Sequence, residues 1–315
     1  MNLDQIRTAE AVVRRFFPPT PLIFAPRLSE RFGTEVWLKL DCFTPIRTFK
    51  LRGALNKLQA LVDGGMAGGV VTASAGNHGL AVARAARLYQ RPATVVVPEG
   101  ANPQKVALIA TEGARVVHHG RDYQAAFERC LAIGQAEGLT LVHAYDDPAV
   151  IAGQATIGLE LAAAGVEFDT VLMGIGGGGL ISGVAAGLKL LKPGVRVLGV
   201  QPEGADSMIR SVRAGRIVEL ERVDTIADGL GARKPGEHTL AMTQQYVDEL
   251  RPIGDADLWA AMRLLLQAER IVAEPAGAAG TAALLRYGAE GLGRVVVLVS
   301  GANIADAVLE RVMQG

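Results

Sequence analysis

Apolar residues in this chain fall into two alternating rhythms. Short β-branched runs at 70–72, 94–97, 114–117, 170–173, 195–200 and 295–299 predict strands. Alanine- and leucine-rich stretches of helical period predict helices over 51–62, 80–89, 103–111, 123–137, 180–191, 258–269 and 276–287. The strands are apolar almost throughout instead of alternating with polar residues. That pattern, in a βαβα order, predicts an α/β fold with parallel sheets covered by helices on both faces. No short repeat or low-complexity tract interrupts it.

Three of the strands run directly into a small-residue turn and then a helix. The turns are Ala73-Ser74-Ala75-Gly76-Asn77-His78-Gly79, Gly174-Ile175-Gly176-Gly177-Gly178-Gly179 and Ser300-Gly301-Ala302-Asn303. Each offers backbone N–H groups at a helix N-terminus beyond the carboxyl end of a strand, where open α/β sheets bind ligands and helix dipoles favour anions. Three such turns predict one composite site. Four adjacent glycines suit the wrapping of a phosphate monoester, because each sacrifices backbone entropy with no side chain in return. The same run also fits G-x-G-x-x-G, so a nicotinamide-dependent oxidoreductase is the rival reading. The acidic residue that this fingerprint requires is displaced, since the next strand ends Gly199-Val200-Gln201-Pro202 and Glu203 lies beyond the proline.

Lys50 stands in Pro45-Ile46-Arg47-Thr48-Phe49-Lys50-Leu51-Arg52-Gly53-Ala54, after an aromatic residue and at the mouth of the helix predicted over 51–62. A lysine amine beside a phosphate cradle points to a Schiff base with pyridoxal phosphate. Taken alone, Lys50 reads as a solvated charge, His78 as a helix-start residue and Ser300 as an N-cap. The His118-His119 pair reads as surface, and Asp146-Asp147-Pro148 as a turn at a domain crossing.

Composition narrows the class. The chain has 315 residues, half of them hydrophobic, which is enough for two packed domains or one large one. Lys and Arg total 32 and so do Asp and Glu, so no basic field invites nucleic acid. Cys42 and Cys130 are isolated and give neither metal spacing nor a disulfide framework. The first residues lack the apolar stretch of a secretory signal, and no apolar run is long enough to span a bilayer. A cytoplasmic protein with a small-molecule substrate is expected.

In order along nearly the whole chain, these motifs resemble the threonine/serine dehydratase and serine racemase family, pyridoxal-phosphate enzymes of the tryptophan-synthase-β fold. The likeness runs through Pro19-Thr20-Pro21-Leu22, Thr48 to Ala54, Ser74 to Gly79, Asp147-Pro148 with Ala152-Gly153-Gln154, Gly176 to Gly179, Ile226 to Gly229, Ala273-Glu274-Pro275 and Ser300 to Asn303. It implies two parallel-sheet three-layer domains: a large cofactor-binding domain from residues 1–63 and 147–315, and a small mobile domain from 64–146. A homodimer is implied as well.

It also implies roles. Lys50 would hold the cofactor and act as the base at Cα. Phe49 would pack on the pyridine ring, Asn77 would bond the ring hydroxyl, and Gly176, Gly177, Gly178 and Gly179 would bind the phosphate. Ser74, Gly76 and His78 would hold the substrate carboxylate. Ser300 would face the pyridine nitrogen; a neutral hydroxyl does not keep that nitrogen protonated, which favours prompt β-elimination. The implied activity is conversion of L-threonine or L-serine to a 2-oxo acid and ammonia. Racemisation, or dehydration of another 3-hydroxy amino acid such as hydroxyaspartate or phenylserine, is the alternative.

Four departures from the family pattern accompany the likeness. Arg47 stands where the family keeps a glycine. Ala75 stands where racemases carry a second serine, which argues for elimination. Gln201 and Ser207 replace the acidic residues of metal-activated members, so no metal site is expected. The chain stops soon after the Ser300 turn, so no isoleucine-sensing regulatory domain is expected.

Overall fold

The computed structural model describes residues 1–314. Strands β1 (Leu22–Phe24), β2 (Val36–Leu40), β3 (Val70–Ala73), β4 (Ala93–Val97), β5 (Arg115–His118), β6 (Thr140–Leu141), β7 (Thr170–Gly174), β8 (Arg196–Pro202), β9 (Glu249–Ile253) and β10 (Val295–Val299) form two sheets. One is six-stranded in the order β1-β2-β10-β7-β8-β9, the other four-stranded in the order β5-β4-β3-β6. Every pairing is parallel except that of β1 with β2. Parallel strands buried on both faces explain why the sequence shows unbroken apolar runs. The α/β architecture with two parallel-sheet domains is therefore as expected, with one antiparallel edge strand added.

The helices Pro103–Thr111 and Tyr123–Glu137 occupy the predicted spans. Their ends are written locally: Asn102 and Asp122 cap the starts, and Gly138 ends the second in the left-handed region. The predicted helix 258–269 is instead an α-helix Asp255–Leu264 followed by a π-turn Leu265–Glu269, and 276–287 begins with the 3-10 turn Pro275–Ala278. The helix Pro148–Ala162 was invisible to periodicity. It is buried nearly all round, so it has no polar face to set a period. It packs between the helices Lys50–Asp63 and Gly179–Leu191, and Asp147 caps its start by accepting from Ala149 N and Val150 N.

The four-stranded sheet lies wholly within residues 70–141, whereas the six-stranded sheet draws strands from both sides of it. β10 sits between β2 and β7, with Val295 opposite both Val36 and Thr170. The carboxyl ends of β3, β7 and β10 carry the three small-residue turns.

Candidate active site

Lys50 is placed by a stitched segment. The Thr44 side chain closes a turn on Thr48, accepting from Thr48 N at 2.9 Å and donating to Thr48 O at 2.8 Å. Thr48 then pairs antiparallel with Gly301, Phe49 N donates to Ser300 O at 3.0 Å, and Ala302 N donates to Arg47 O at 2.9 Å. These bonds bring the start of the Lys50–Asp63 helix against the turn that follows β10, so the residue before Lys50 is bonded to Ser300 although about 250 positions separate them in the chain.

Arg47 adopts φ 58°, in the left-handed region, and its side chain is exposed. A glycine takes this backbone freely, whereas any other residue is strained there. Its carbonyl is used in the stitch, and its guanidinium points to solvent.

The Lys50 amine lies 5.2 Å from the Phe49 ring centroid and donates to Ala144 O at 2.8 Å. Loss of hydration lowers its pKa to about 8, against an opposing pull from the Glu274 carboxylate. Glu274 is itself buried. Desolvation first, with Asp228 adding to it, raises its pKa to about 7, against Lys105, the Asn77 hydrogen bond and Lys50. Asn77 Nδ2 donates to Glu274 Oε1 at 2.6 Å. Glu274 is the residue of this cleft to which the sequence reading gives no role. Its only sequence signal is a carboxylate held between Ala273 and Pro275 in an otherwise apolar stretch.

The glycine turn leaves β7 and starts the helix Gly179–Leu191. Gly178 has φ 99°, and a Cβ at Gly177 would collide with the Tyr145 ring. Thr239 Oγ1 and Gln201 Nε2 donate to the carbonyls of Gly177 and Gly176 at 2.7 and 3.4 Å. Among the described residues, no acceptor meets the N–H groups of Gly176, Gly177, Gly178 or Gly179. Free N–H groups at a helix start, with their carbonyls already bonded, can take a phosphate monoester.

At the third turn Ser74 Oγ accepts from Gly76 N at 3.2 Å, and Asn77 opens the helix Asn77–Leu88. His78 is buried. Its Nε2 lies 3.0 Å from Val142 O, and desolvation, with Lys50 adding to it, lowers its pKa to about 3, so the ring is neutral. Ser300 is buried at the cleft, and its hydroxyl takes no hydrogen-bond partner among the described residues. His118 and His119 are exposed, away from these groups. Gln201 Oε1 accepts from Ile209 N at 2.9 Å and Ser207 donates to Ala232 O at 2.8 Å, so both polar side chains are engaged within the chain.

A family model described as "Pyridoxal-phosphate dependent enzyme" matches residues 13–301. The chain belongs to this family. Among the pyridoxal-phosphate dependent enzymes, an L-threonine ammonia-lyase from Thermotoga maritima is 38% identical over 314 residues, covering 99% of this chain and 78% of the relative. A solved threonine deaminase from T.th. superposes with a TM-score of 0.92 at 38% identity, covering 97% of this chain and 99% of that one. Maize serine racemase gives a TM-score of 0.93 at 34% identity, covering 99% and 97%. Membership brings pyridoxal phosphate as the cofactor and sets aside the nicotinamide reading of Gly174 to Gly179. No helix among the described residues is long and apolar enough to cross a membrane.

Proposed function

We propose that the chain is a pyridoxal-phosphate-dependent ammonia-lyase that eliminates water from L-threonine or L-serine, releasing a 2-oxo acid and ammonia. One observation carries the reading: Lys50, an unpartnered Ser300 hydroxyl and an unbonded glycine turn converge on one cleft, in a chain 38% identical to an L-threonine ammonia-lyase. Bound pyridoxal phosphate supplies an electron sink conjugated to the substrate Cα.

The N–H groups of Gly176 to Gly179 would hold its phosphate, Phe49 would pack on its ring, and Asn77 would bond the ring hydroxyl. Ser300 would face the pyridine nitrogen with a neutral hydroxyl, which would leave that nitrogen without the proton a carboxylate would stabilise. Lys50 Nζ would hold the group, and its free amine would be the base that takes the proton from the substrate Cα. Its lowered pKa suits this, because a base near neutrality is both available and strong enough. Ser74, Gly76 and His78 hold the substrate carboxylate. His78 acts through its backbone N–H at the helix start, since its ring is engaged by Val142.

Residues 64–146 form the smaller unit that closes over the substrate and keeps water out. The contacts of Lys105 with Asp228 at 2.9 Å and of Gln104 with Asp306 at 2.6 Å support this closure. Ala75 offers no hydroxyl on the carboxylate turn, which favours elimination over racemisation. The exposed Arg47 argues against recognition of an acidic substrate side chain there. A cytoplasmic homodimer is part of the same proposal, supported by the exposed aromatic rings of Phe24 and Phe43; light scattering on the purified protein tests the dimer.

The decisive test is release of 2-oxo acid and ammonia over a panel of serine, threonine, threo-3-hydroxyaspartate and phenylserine. Turnover of threonine and serine is expected. A protein that gains no visible absorption band with pyridoxal phosphate and turns over none of the panel sinks the reading.

A further inference from the structure

A chain of amide and carboxyl groups crosses from one sheet's domain to the other beside Ser300. Asn303 Nδ2 donates to Ile46 O at 3.0 Å and to Asn77 Oδ1 at 2.7 Å. Asn77 Nδ2 donates in turn to Glu274 Oε1 at 2.6 Å, and Glu274 N donates to Gly301 O at 3.1 Å. A Cβ at Gly301 would lie 3.5 Å from Asn77 Nδ2, so the amide nitrogen is the end that faces the Ser300-Gly301 turn.

A carboxamide is nearly symmetric in shape but not in chemistry, because the nitrogen only donates and the oxygen only accepts. Ile46 O is a backbone carbonyl and can only accept. It therefore orients Asn303 with its nitrogen inward, and that nitrogen in turn demands the oxygen of Asn77. The Asn77 nitrogen is left for Glu274 and for the cleft. The direction of the amide is thus dictated from a main-chain carbonyl two side chains away.

We propose that Asn303 is a positioning residue for Asn77: it selects which end of the Asn77 amide faces the cofactor, and it does so only when the two domains are together. Asn77 opens a helix of the four-stranded sheet's domain, whereas Ile46, Glu274 and Asn303 flank the six-stranded sheet. Opening the cleft parts Asn77 from all three and frees its amide to turn. Recognition of the cofactor ring is thereby tied to domain closure. The inference rests on the reading of Asn77 as the residue that meets the ring.

The test is Asn303→Asp, which presents only acceptors to Ile46 O and to Asn77 Oδ1 and so forces the Asn77 amide to reverse. Dilution of the holoenzyme, followed through the visible band of bound pyridoxal phosphate, is expected to show a dissociation constant at least about tenfold higher, together with a shifted band. The double variant Asn303→Asp with Glu274→Gln restores the bonds among the three side chains with the amide reversed and leaves only Ile46 O without its donor. It is expected to regain part of the melting temperature lost by Asn303→Asp but neither the affinity nor the band position, a split that a purely structural role does not give.

Wild-type affinity in Asn303→Asp, or full recovery of affinity in the double variant, overturns the proposal. If Asn303→Asp does not fold, Asn303→Ala removes the donor without adding an acceptor. A smaller loss of affinity is then expected, and no loss overturns the proposal. Asn77→Ala separates the two levels of inference. An unchanged band and affinity there remove Asn77 itself from the ring. A change there with none in the Asn303 variants removes only Asn303.

Discussion

Lys50 and Arg52 stand two residues apart on the first turn of one helix, and they live in opposite electrostatic worlds. Arg52 is wholly buried, with its guanidinium spread over two carboxylates. Nε and Nη2 donate to Asp41 at 2.7 and 3.0 Å, Nη1 and Nη2 to Glu160 at 2.6 and 3.0 Å, and Nη1 to Thr156 at 3.0 Å. Lys39 and Arg14 also pair with Glu160, and Thr20 bonds Asp41. Burial opposes the charges of Arg52 and Glu160, yet their close partners prevail, so the arginine's pKa rises and the carboxylate's falls. Lys50 is half-buried and Glu274 buried, and neither has a salt-bridge partner. Burial prevails there, and it lowers the amine and raises the carboxyl.

The same physics thus gives a mount of paired charges in one place and groups with pKa values shifted toward neutrality in the other. Arg52 holds the start of the helix against Asp41, which follows β2, and against Glu160 on the neighbouring helix. The first turn that carries Lys50 has no freedom to drift. A satisfied charge network fixes position, and two residues away a charge with no such partner has a pKa shifted toward neutrality.

The comparison can be broken at its reactive end first. Lys50→Ala is expected to lower 2-oxo acid release by about 10⁴-fold or more while leaving the urea midpoint close to that of the parent chain. Substantial turnover in that variant would remove Lys50 from the reaction. Next, Arg52→Met leaves Asp41 and Glu160 buried without their main partner. It should cost about 3–5 kcal/mol in urea unfolding, far more than the Lys50 change. Equal losses from the two variants would mean that the contrast between the two sites is not real.

A smaller effect sharpens the contrast. With the Lys50 pKa at about 8, its amine in cofactor-free protein should be trapped by an aldehyde and borohydride with a midpoint near pH 8, below that of surface lysines. Glu274 raises that pKa, so Glu274→Gln should move the midpoint lower. A midpoint that moves upward would show that Glu274 does not act on Lys50. The smallest effect is expected beside both sites. Arg47→Gly relieves left-handed strain but loosens the unfolded chain, for a net gain below about 1 kcal/mol in urea unfolding. A loss on that substitution would mean that the exposed side chain makes a contact worth keeping.

Much of this was legible in the chain because local signals and burial agreed. The run 295–299 is strand-forming and buried on both faces, and Asp122 and Gly138 mark both ends of their helix. The glycine turn, the asparagine turn and Ser300 were legible as anion-binding loops after strands. Other elements hid their signals. β2 contains Lys39, a charge that is buried only because Glu160 reaches it from a distant helix. β9 carries Pro252 and two charges, tolerable on a sheet edge and discouraging to any strand prediction. Glu274 and Asn303 gain their meaning only from Asn77, about two hundred positions earlier. No spacing rule connects groups that the fold alone makes neighbours.

The place of β10 has a consequence for how the molecule comes into being. The strand that fills the gap between β2 and β7 is the last one made, and Ser300 follows it immediately. The four-stranded sheet is complete in a nascent chain once residue 141 has emerged. The larger sheet still lacks its middle at residue 294, with β2 and β7 holding no partner between them. A chain emerging from the ribosome therefore owns the whole of the smaller sheet long before it owns the middle of the larger one. The vitamin-derived cofactor can find a finished seat only after β10 and the turn at Ser300 have been made.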